Sequence, residues 1–404
     1  MIMNKRNAVK RGAYQDLMIE KTETPTQEIA SEEIISLDRY LTELKAEADA
    51  LYDDTEVYGV AGWGNESARN TGLYEFCVVL PKGAELHAHE MTLLPFERYV
   101  EIVRRDAWIL LEEGDRCGYL FAENNPNRPE NTVLLDDALT GGLISMEELS
   151  IRNAYYKVRK EHPDFRVRII GATGKDQRYP LNMCYETFRF FIRLSREFKD
   201  EFDPDRLQDF IIGLDLVNEE DGSKPLNQYF DFFLSEEMKN SGLKLFLHCG
   251  ESLCPSNTSV KDAYAAGTYR AGHAFNLYRF PALMKKFSEN SVTVEVCPTS
   301  NLALGYVHDL RIHPALYYLN NGVPIVICSD DGLFMTPGPL VDDFYSAVLC
   351  WDLSLEEIRE ICERSILAGG LCEEETDYLL EVWRRSWTDF CSERQKAIQD
   401  RLTS

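Results

Sequence analysis

The chain lacks the apolar segments that a membrane span or an export signal requires. None of its apolar runs approaches eighteen residues, and its first twenty residues contain no apolar stretch of the signal-peptide kind. Its eleven cysteines are scattered, odd in number and without a CxxC spacing. This pattern disfavours a disulfide framework and a thiolate zinc site. We therefore expect a soluble, cytoplasmic protein.

Positive charge is also scarce. The 43 lysines and arginines face 68 acidic residues, which gives a formal charge of −25 at pH 7. Such a surface repels phosphate backbones and anionic membranes, so neither nucleic acid nor a membrane is an expected partner. Apolar residues make up 44% of the chain and aromatic residues 11%, which is enough for a full core and excludes wholesale disorder.

The chain divides into two regions by pattern. Residues 1–74 are polar, with one amphipathic stretch at 32–52, and we interpret them as an N-terminal helical extension and linker. This extension could close the bottom of a barrel, cover the site or mediate a homodimer. In residues 75–404 short apolar runs alternate with amphipathic stretches, as in repeated βα units. The predicted strands are Ala84–His89, a weak one at Leu143–Met146, Val167–Ala172, Phe210–Val217, Leu243–His248, Tyr269–His273, Val292–Val296 and Pro324–Cys328. The predicted helices are Leu94–Glu112, Cys184–Phe198, Pro225–Lys239 and Pro281–Glu289, and the tail Ser354–Leu402 is predicted to be helical and amphipathic.

Eight βα units of this size predict an α/β fold, a TIM (β/α)8 barrel. A doubly wound sheet is the alternative, but nothing resembling GxGxxG follows an early strand. In a barrel, chemistry lies at the carboxyl ends of the strands. There the sequence reads LHAHE, LDLVNEED, LHCGE, AGHAF, CPTSN and CSDD.

Histidine is rare, with seven residues, yet four of them stand at strand ends: His87, His89, His248 and His273. A single buried histidine is more often a hydrogen-bonded core residue than a ligand. His87 and His89, however, share one face of a strand because they are two residues apart. Two adjacent imidazoles resist burial unless a divalent metal takes up their lone pairs. The pair therefore predicts metal ligands.

Carboxylates accompany these histidines. Glu251 follows His248 by three residues, and a metal ligand beside an acid that moves protons suits a hydrolase. A charge at a helix N-terminus is the simpler alternative for Glu251. Asp330 and Asp331 follow the last strand, where adjacent carboxylates repel each other unless a cation or a substrate proton separates their roles. A helix cap explains only one of the two.

Other sequence patterns give weaker evidence of function. GATGK at 171–175 lacks the spacing of a P-loop, and no GxSxG elbow or PCxxC deaminase pattern is present. His308 and His313 are interpreted as capping or packing residues, with His313 and Pro314 holding a turn near the site.

ELHAHE, LHCGES, RAGHAF, VEVCPTSN and VPIVICSDD occur in the order and approximate spacing of the adenosine deaminase family, which this sequence resembles. LPKGAELHAHE, IIGLDLVNEEDGSKPL and HDLRIHPALYYLNNGVPIVICSDD are similar to its adenosine-deaminase growth-factor branch. The resemblance covers about residues 75–395. It implies a barrel of the metal-dependent hydrolase type that deaminates adenosine and 2′-deoxyadenosine to inosine and ammonia, in purine metabolism.

The resemblance also implies the roles of single residues. One Zn²⁺ per chain would be held by His87, His89, His248 and Asp330. His273 would orient the attacking water, Glu251 would protonate purine N1, and Asp331 would hydrogen-bond purine N7. These roles make Glu251, His273 and Asp331 the catalytic residues, and a purine nucleoside and water the partners.

Two departures from the family concern the substrate. Asn218 stands where the family commonly has a glycine that meets purine N3, and Glu90 stands where closer relatives have an aspartate that could bind a ribose hydroxyl. The same chemistry on another aminopurine nucleoside is therefore a second hypothesis. A binuclear amidohydrolase is a third, disfavoured because Phe210–Val217 contains no lysine. A catalytically dead ligand-binding or oligomerisation barrel is a fourth, disfavoured by the complete residue set.

Overall fold

The computed structural model describes residues 32–51, 66–89, 162–197, 210–336 and 338–403. The described residues belong to two compact units. The larger unit contains those up to 88, from 168 to 330 and from 338 onward. The smaller unit contains His89 and residues 162–167 and 331–336.

A six-stranded parallel sheet, with its strands in chain order, forms the centre of the larger unit. The strands are β1 Ile169–Gly174, β2 Ile211–Val217, β3 Lys244–Cys249, β4 Arg270–His273, β5 Thr293–Val296 and β6 Ile325–Ile327. Strands β3 to β6 are buried almost throughout, as expected of parallel strands that are covered on both faces. Six of the predicted strands are therefore confirmed, and Leu143–Met146 lies outside the described residues.

The segment predicted as the first strand, Ala84–His89, is extended chain with a single parallel bridge, from Ala88 to Asp330. The Asp330 N–H donates to the His87 carbonyl at 2.9 Å. The Glu85 carboxylate accepts the His87 N–H at 3.2 Å, and this local bond takes a donor that a ladder would use. The prediction of a complete strand is wrong here, although the segment does run parallel to the chain beyond β6.

Helices follow the strands, as the alternating pattern predicts. Those of the described residues are α1 Glu32–Asp49, α2 Glu66–Arg69, α3 Gly72–Val79, α4 Leu181–Glu197, α5 Phe230–Phe233, α6 Glu236–Lys239, α7 Ser259–Ala266, α8 Pro281–Glu289, α9 Pro298–Ala303, α10 Pro314–Asn320, α11 Gly332–Met335, α12 Val341–Cys350, α13 Leu355–Leu367 and α14 Glu373–Thr403. Short 3-10 turns occupy Leu226–Tyr229, Leu277–Arg279 and Leu310–Ile312. None of the helices in the described ranges combines the length and the apolar stretch that crossing a bilayer requires.

One predicted helix is interrupted, one lies outside the described residues, and the predicted helical tail is confirmed. The predicted helix at 225–239 is a 3-10 turn followed by α5 and α6, because Ser235 caps a new helix by accepting the Met238 N–H at 3.1 Å. The helical tail consists of α13 and α14, which are separated near Gly370, whose φ of +81° an L-residue rarely adopts. Leu94–Glu112 is not among the described residues.

Helix α1 is part of the main core of the larger unit. Leu37, Leu41 and Leu44 are at most 2% exposed in that core. Lys45 Nζ donates to Asp352 Oδ1 at 2.6 Å and to the Leu353 carbonyl at 2.9 Å, which fixes α1 against the turn before α13. The boundary at residue 74, and a role of the extension in dimerisation or in covering the site, stay predictions.

Candidate active site

Three buried imidazoles meet in the larger unit. His248 lies near the end of β3, His273 ends β4, and His87 belongs to the segment that runs beside the chain after β6. Their ring centroids are 4.5 Å (His87 to His248), 4.9 Å (His87 to His273) and 5.2 Å (His248 to His273) apart. None is more than 6% exposed. The carboxyl end of the sheet thus gathers these histidines, as the barrel prediction requires.

Two buried carboxylates orient two of these rings. His248 Nδ1 lies 2.6 Å from Asp215 Oδ2, and the His248 N–H donates to Asp215 Oδ1 at 2.9 Å. His87 Nδ1 lies 2.7 Å from Glu295 Oε2. A carboxylate at Nδ1 holds the proton there and leaves Nε2 to face a metal. Neither Asp215 nor Glu295 was predicted as a site residue; the available signal in the sequence was a single acidic residue inside each of two buried strands, β2 and β5.

A buried arginine supports the Glu295 carboxylate. Arg270 is 1% exposed, and its Nε donates to Glu295 Oε1 at 2.5 Å while Nη1 donates to the Ala368 carbonyl at 2.7 Å. Its guanidinium also lies 4.2 Å from the ring centroid of Phe246. Burial alone would raise the pKa of Glu295, but Arg270 and His87 outweigh burial and hold that pKa at about 2. Glu295 therefore remains a carboxylate.

Asp330 completes the cluster of the larger unit. Its Oδ1 lies 3.5 Å from His87 Nε2. His87, His273, Cys297 and Asp330 can place one ligand atom each within 4.8 Å of the others. His273, Ala274 and Asp330 have positive φ angles of 57°, 40° and 56°. Such strained backbone persists where the surrounding structure enforces it, commonly at functional sites.

Glu251 is presented by a tight turn after β3. Gly250 has φ +68°, and a Cβ there would lie 2.4 Å from Val260 Cγ1. Glu251 Oε1 is buried without a hydrogen-bond partner among the described residues, 3.4 Å from His273 Nδ1. Burial and the nearby Asp330 carboxylate raise the pKa of Glu251 to about 8. The side chain can therefore act as an acid at neutral pH.

The remaining predicted residues are placed as follows. In the smaller unit, His89 Nδ1 lies 3.0 Å from Asp331 Oδ1, and both side chains are more than a third exposed. In the larger unit, Asn218 has φ +117°, and its Nδ2 donates to Ser223 Oγ at 3.3 Å. Glu90 lies outside the described residues. The larger unit therefore brings together His87, His248, His273, Glu251 and Asp330, whose roles stay predictions.

The donor set of the larger unit fits a divalent metal ion. Burial disfavours a charged His87, but the carboxylates of Asp330 and Glu295 outweigh burial and raise the pKa of His87 well above its ordinary value. The carboxylates of Asp330 and Glu295 therefore favour a positive charge beside them. Imidazole nitrogens oriented by carboxylates, together with an aspartate oxygen, are ligands that zinc accepts.

A parallel sheet with such a cluster at the carboxyl ends of its strands is the arrangement that the prediction of a metal-dependent hydrolase barrel requires. Among known sequence families, the adenosine deaminase profile matches residues 194–383, just under half of this chain. The chain is 30% identical to adenosine deaminase 2 of Dictyostelium discoideum over 61% of this chain and 44% of that protein. It is 31% identical to the adenosine deaminase of Lutzomyia longipalpis over 60% and 47%. The chain is therefore similar to adenosine deaminases, as its motifs predict, and the similar proteins named adenosine deaminase 2 support the resemblance to the growth-factor branch.

The matched region corresponds to only part of each curated relative. The chain spans less than half the length of the curated relatives described above. Among solved structures, a zinc-bound amidohydrolase from Burkholderia ambifaria has a TM-score of 0.59 and 12% identity, covering 83% of this chain and 98% of that one. An adenine deaminase from Arthrobacter aurescens has a TM-score of 0.50 and 20% identity, covering 64% and 70%. At these identities the structures confirm the α/β barrel fold alone.

Proposed function

We propose that the chain is a zinc-dependent aminohydrolase, which uses water to convert adenosine and 2′-deoxyadenosine to inosine and ammonia. The observation that carries the proposal is the buried cluster of His87, His248 and His273 with Glu251 and Asp330, at the carboxyl end of a parallel sheet. Relatives of about 30% identity that are named adenosine deaminase support the substrate class.

One zinc ion would be held by His87, His89, His248 and Asp330. When bound, zinc would supply the Lewis acidity that makes water a nucleophile near neutral pH. Elemental analysis distinguishes it from iron or cobalt, which such donors also accept.

The chain's own side chains would handle the protons and the base. Burial and Asp330 raise the pKa of Glu251, so its carboxyl would donate a proton to purine N1. Purine C6 then becomes electrophilic, water adds to it, and the exocyclic amine leaves as ammonia. His273 would orient the attacking water, and Asp331 would hydrogen-bond purine N7.

A second candidate, deamination of another aminopurine nucleoside, is favoured by Asn218. Its backbone adopts a conformation suited to glycine, yet it carries an amide side chain that bonds Ser223. A side chain at this position could exclude one purine and accept another. Glu90 and its contact to a ribose hydroxyl belong to the same proposal.

The test is an ultraviolet assay of adenosine conversion by the purified, zinc-supplemented full chain. We expect turnover by the wild type and a fall of about 10²- to 10⁴-fold in Glu251→Gln, because Gln cannot donate a labile proton. Glu289→Gln, at an exposed glutamate, is the matched control and should keep full activity. If adenosine is untouched by the zinc-loaded protein, the leading substrate is wrong, and Asn218→Gly with a panel of aminopurine nucleosides tests the second candidate.

We further propose a cytoplasmic location, a role in purine metabolism and a homodimer. The described cysteines are free thiols, which fits a reducing compartment. Light scattering on the purified chain, with and without residues 1–31, tests the dimer: a monomer would contradict it.

A further inference from the structure

His313 has a defined tautomer. It caps α10, where its Nδ1 accepts the Ala315 N–H at 3.1 Å. A backbone N–H can only donate, so Nδ1 carries no proton and the proton of the ring lies on Nε2. Burial lowers the pKa of His313 to about 3, which agrees with a neutral ring.

The proton on His313 Nε2 sets the orientation of a buried amide. His313 Nε2 lies 3.0 Å from Asn301 Oδ1, so the ring donates and the amide oxygen accepts. The amide nitrogen of Asn301 therefore faces the other way, toward His273 Nδ1 at 3.5 Å. The assignment of oxygen and nitrogen in Asn301 thus follows from a backbone donor.

Packing holds this chain of side chains in place. Asn301 is 1% exposed and His313 3%. The His313 ring lies 5.4 Å, between centroids, from both Phe275 and Trp351, and Trp351 Nε1 donates to the Leu310 carbonyl at 2.9 Å. Neither the ring nor the amide can turn over without breaking a buried hydrogen bond.

We propose that His313 and Asn301 are positioning residues that hold His273 in the tautomer with its proton on Nε2. Asn301 presents an N–H to His273 Nδ1, so that nitrogen must offer its lone pair. Glu251 Oε1 lies 3.4 Å from the same nitrogen, where a protonated carboxyl would be a second donor. The Nε2–H then points toward the side of Asp330, whose Oδ2 is 3.8 Å away.

This assignment deepens the proposed function, on which its activity measurement rests. A fixed Nε2–H makes His273 a hydrogen-bond donor that can orient a water oxygen. The opposite tautomer would present a lone pair there and repel that oxygen. The wrong tautomer of a catalytic imidazole lowers kcat strongly, by up to about 10⁴-fold in a serine protease triad.

The test is nitrogen NMR of the imidazoles in the zinc-loaded full chain, with His273 assigned by its absence in His273→Ala. We expect an unprotonated Nδ1 on His273 in the wild type. Asn301→Asp keeps the shape but can only accept, so we expect the proton of His273 to move to Nδ1. With it, kcat should fall about 10²- to 10⁴-fold while KM stays nearly constant.

Paired variants at His313 separate positioning from structure. His313→Phe keeps a flat ring and loses the donor, and should also lower kcat; His313→Gln keeps a donor and should restore most of it. His308→Gln, at an exposed histidine of the same segment, should change nothing. A wild-type His273 protonated on Nδ1, or an Asn301→Asp protein with unchanged tautomer and kcat, would overturn the inference. Because the NMR signal needs no turnover, absence of adenosine turnover would overturn only the proposed function.

Discussion

Replacing Lys175 with methionine should destabilise the protein strongly and reverse part of the pH dependence of its free energy of unfolding. Lys175 and Glu220 form an ion pair whose side chains are 1% and 2% exposed. Glu220 Oε2 also accepts hydrogen bonds from Ser259 Oγ, from the Asn257 amide at 3.1 Å and from the Gly250 N–H at 3.2 Å. The pair therefore lies directly under the turn that presents Glu251.

The magnitude follows from the burial of the pair. Lys175→Met leaves the Glu220 carboxylate without its cation, and breaking a buried pair in this way costs about 3–5 kcal/mol of unfolding free energy. That is a large fraction of the ~5–15 kcal/mol by which domains are stable. In Lys175→Met/Glu220→Gln both charges are gone, so we expect most of the loss to be recovered.

The pH dependence has a defined sign. Burial would raise the pKa of Glu220, but Lys175 outweighs burial and holds it below the ordinary 4.5. The wild-type pair therefore contributes stability above the unfolded pKa and loses it as the pH falls through the lower folded pKa. Without Lys175, burial dominates and the folded pKa lies above 4.5, so stability falls as the pH rises.

Urea unfolding at pH 5 and pH 8 measures both effects. Lys285→Met is the control, since that side chain is 75% exposed and its pair with Glu289 contributes about 0–1 kcal/mol. A loss below about 1 kcal/mol in Lys175→Met, or a double variant no more stable than the single one, would refute the reasoning.

Three further predictions follow from single residues. Burial raises the pKa of Asp343 from 3.8 to about 6, a difference worth about 3 kcal/mol of unfolding free energy at high pH. Asp343→Asn should therefore stabilise the protein by up to that amount at pH 8 and by less at pH 5, as measured by urea unfolding. Turnover should fall as the pH rises through about 8 or somewhat lower, because only protonated Glu251 donates and a bound cation lowers its pKa; initial rates that stay flat to pH 10 would contradict this. Gly250→Ala should lower the melting temperature more than Gly267→Ala. Both glycines have positive φ, but the new Cβ would collide with a neighbour at Gly250 and meet open space at Gly267. Equal melting temperatures of the two variants would contradict this prediction.

The strands could be predicted from the sequence because parallel strands buried on both faces are short, nearly continuous apolar runs. The interruption of the helix at 225–239 was harder to predict, since a capping serine redirects the chain without changing the apolar pattern. Ala84–His89 was wrongly predicted as a complete strand because extended chain and a paired strand have the same side-chain alternation. Only the partner's hydrogen bonds distinguish them.

In the candidate site, too, local sequence patterns were informative, whereas contacts between distant residues could not be predicted. Histidines and acids at strand ends could be found by their residue type and spacing. Their supporting residues could not, because these pair over long distances in the chain: 33 residues for His248 and Asp215, and 208 for His87 and Glu295. Asn301 looks like any polar residue of a helix until the fold places His313 on one side of its amide and His273 on the other.

The most direct test of the account is a count of metal ions bound by the purified full chain, by elemental analysis and by calorimetric titration of the metal-free protein with zinc. We predict about one zinc per chain in the wild type and none in His248→Ala. In Asp215→Asn zinc binding should weaken about 10- to 100-fold, because the asparagine still reaches His248 but cannot hold the proton of His248 Nδ1 as a carboxylate does. A wild-type protein that binds no divalent metal, or one whose zinc is unaffected by His248→Ala, would contradict the assignment of this cluster as a metal site.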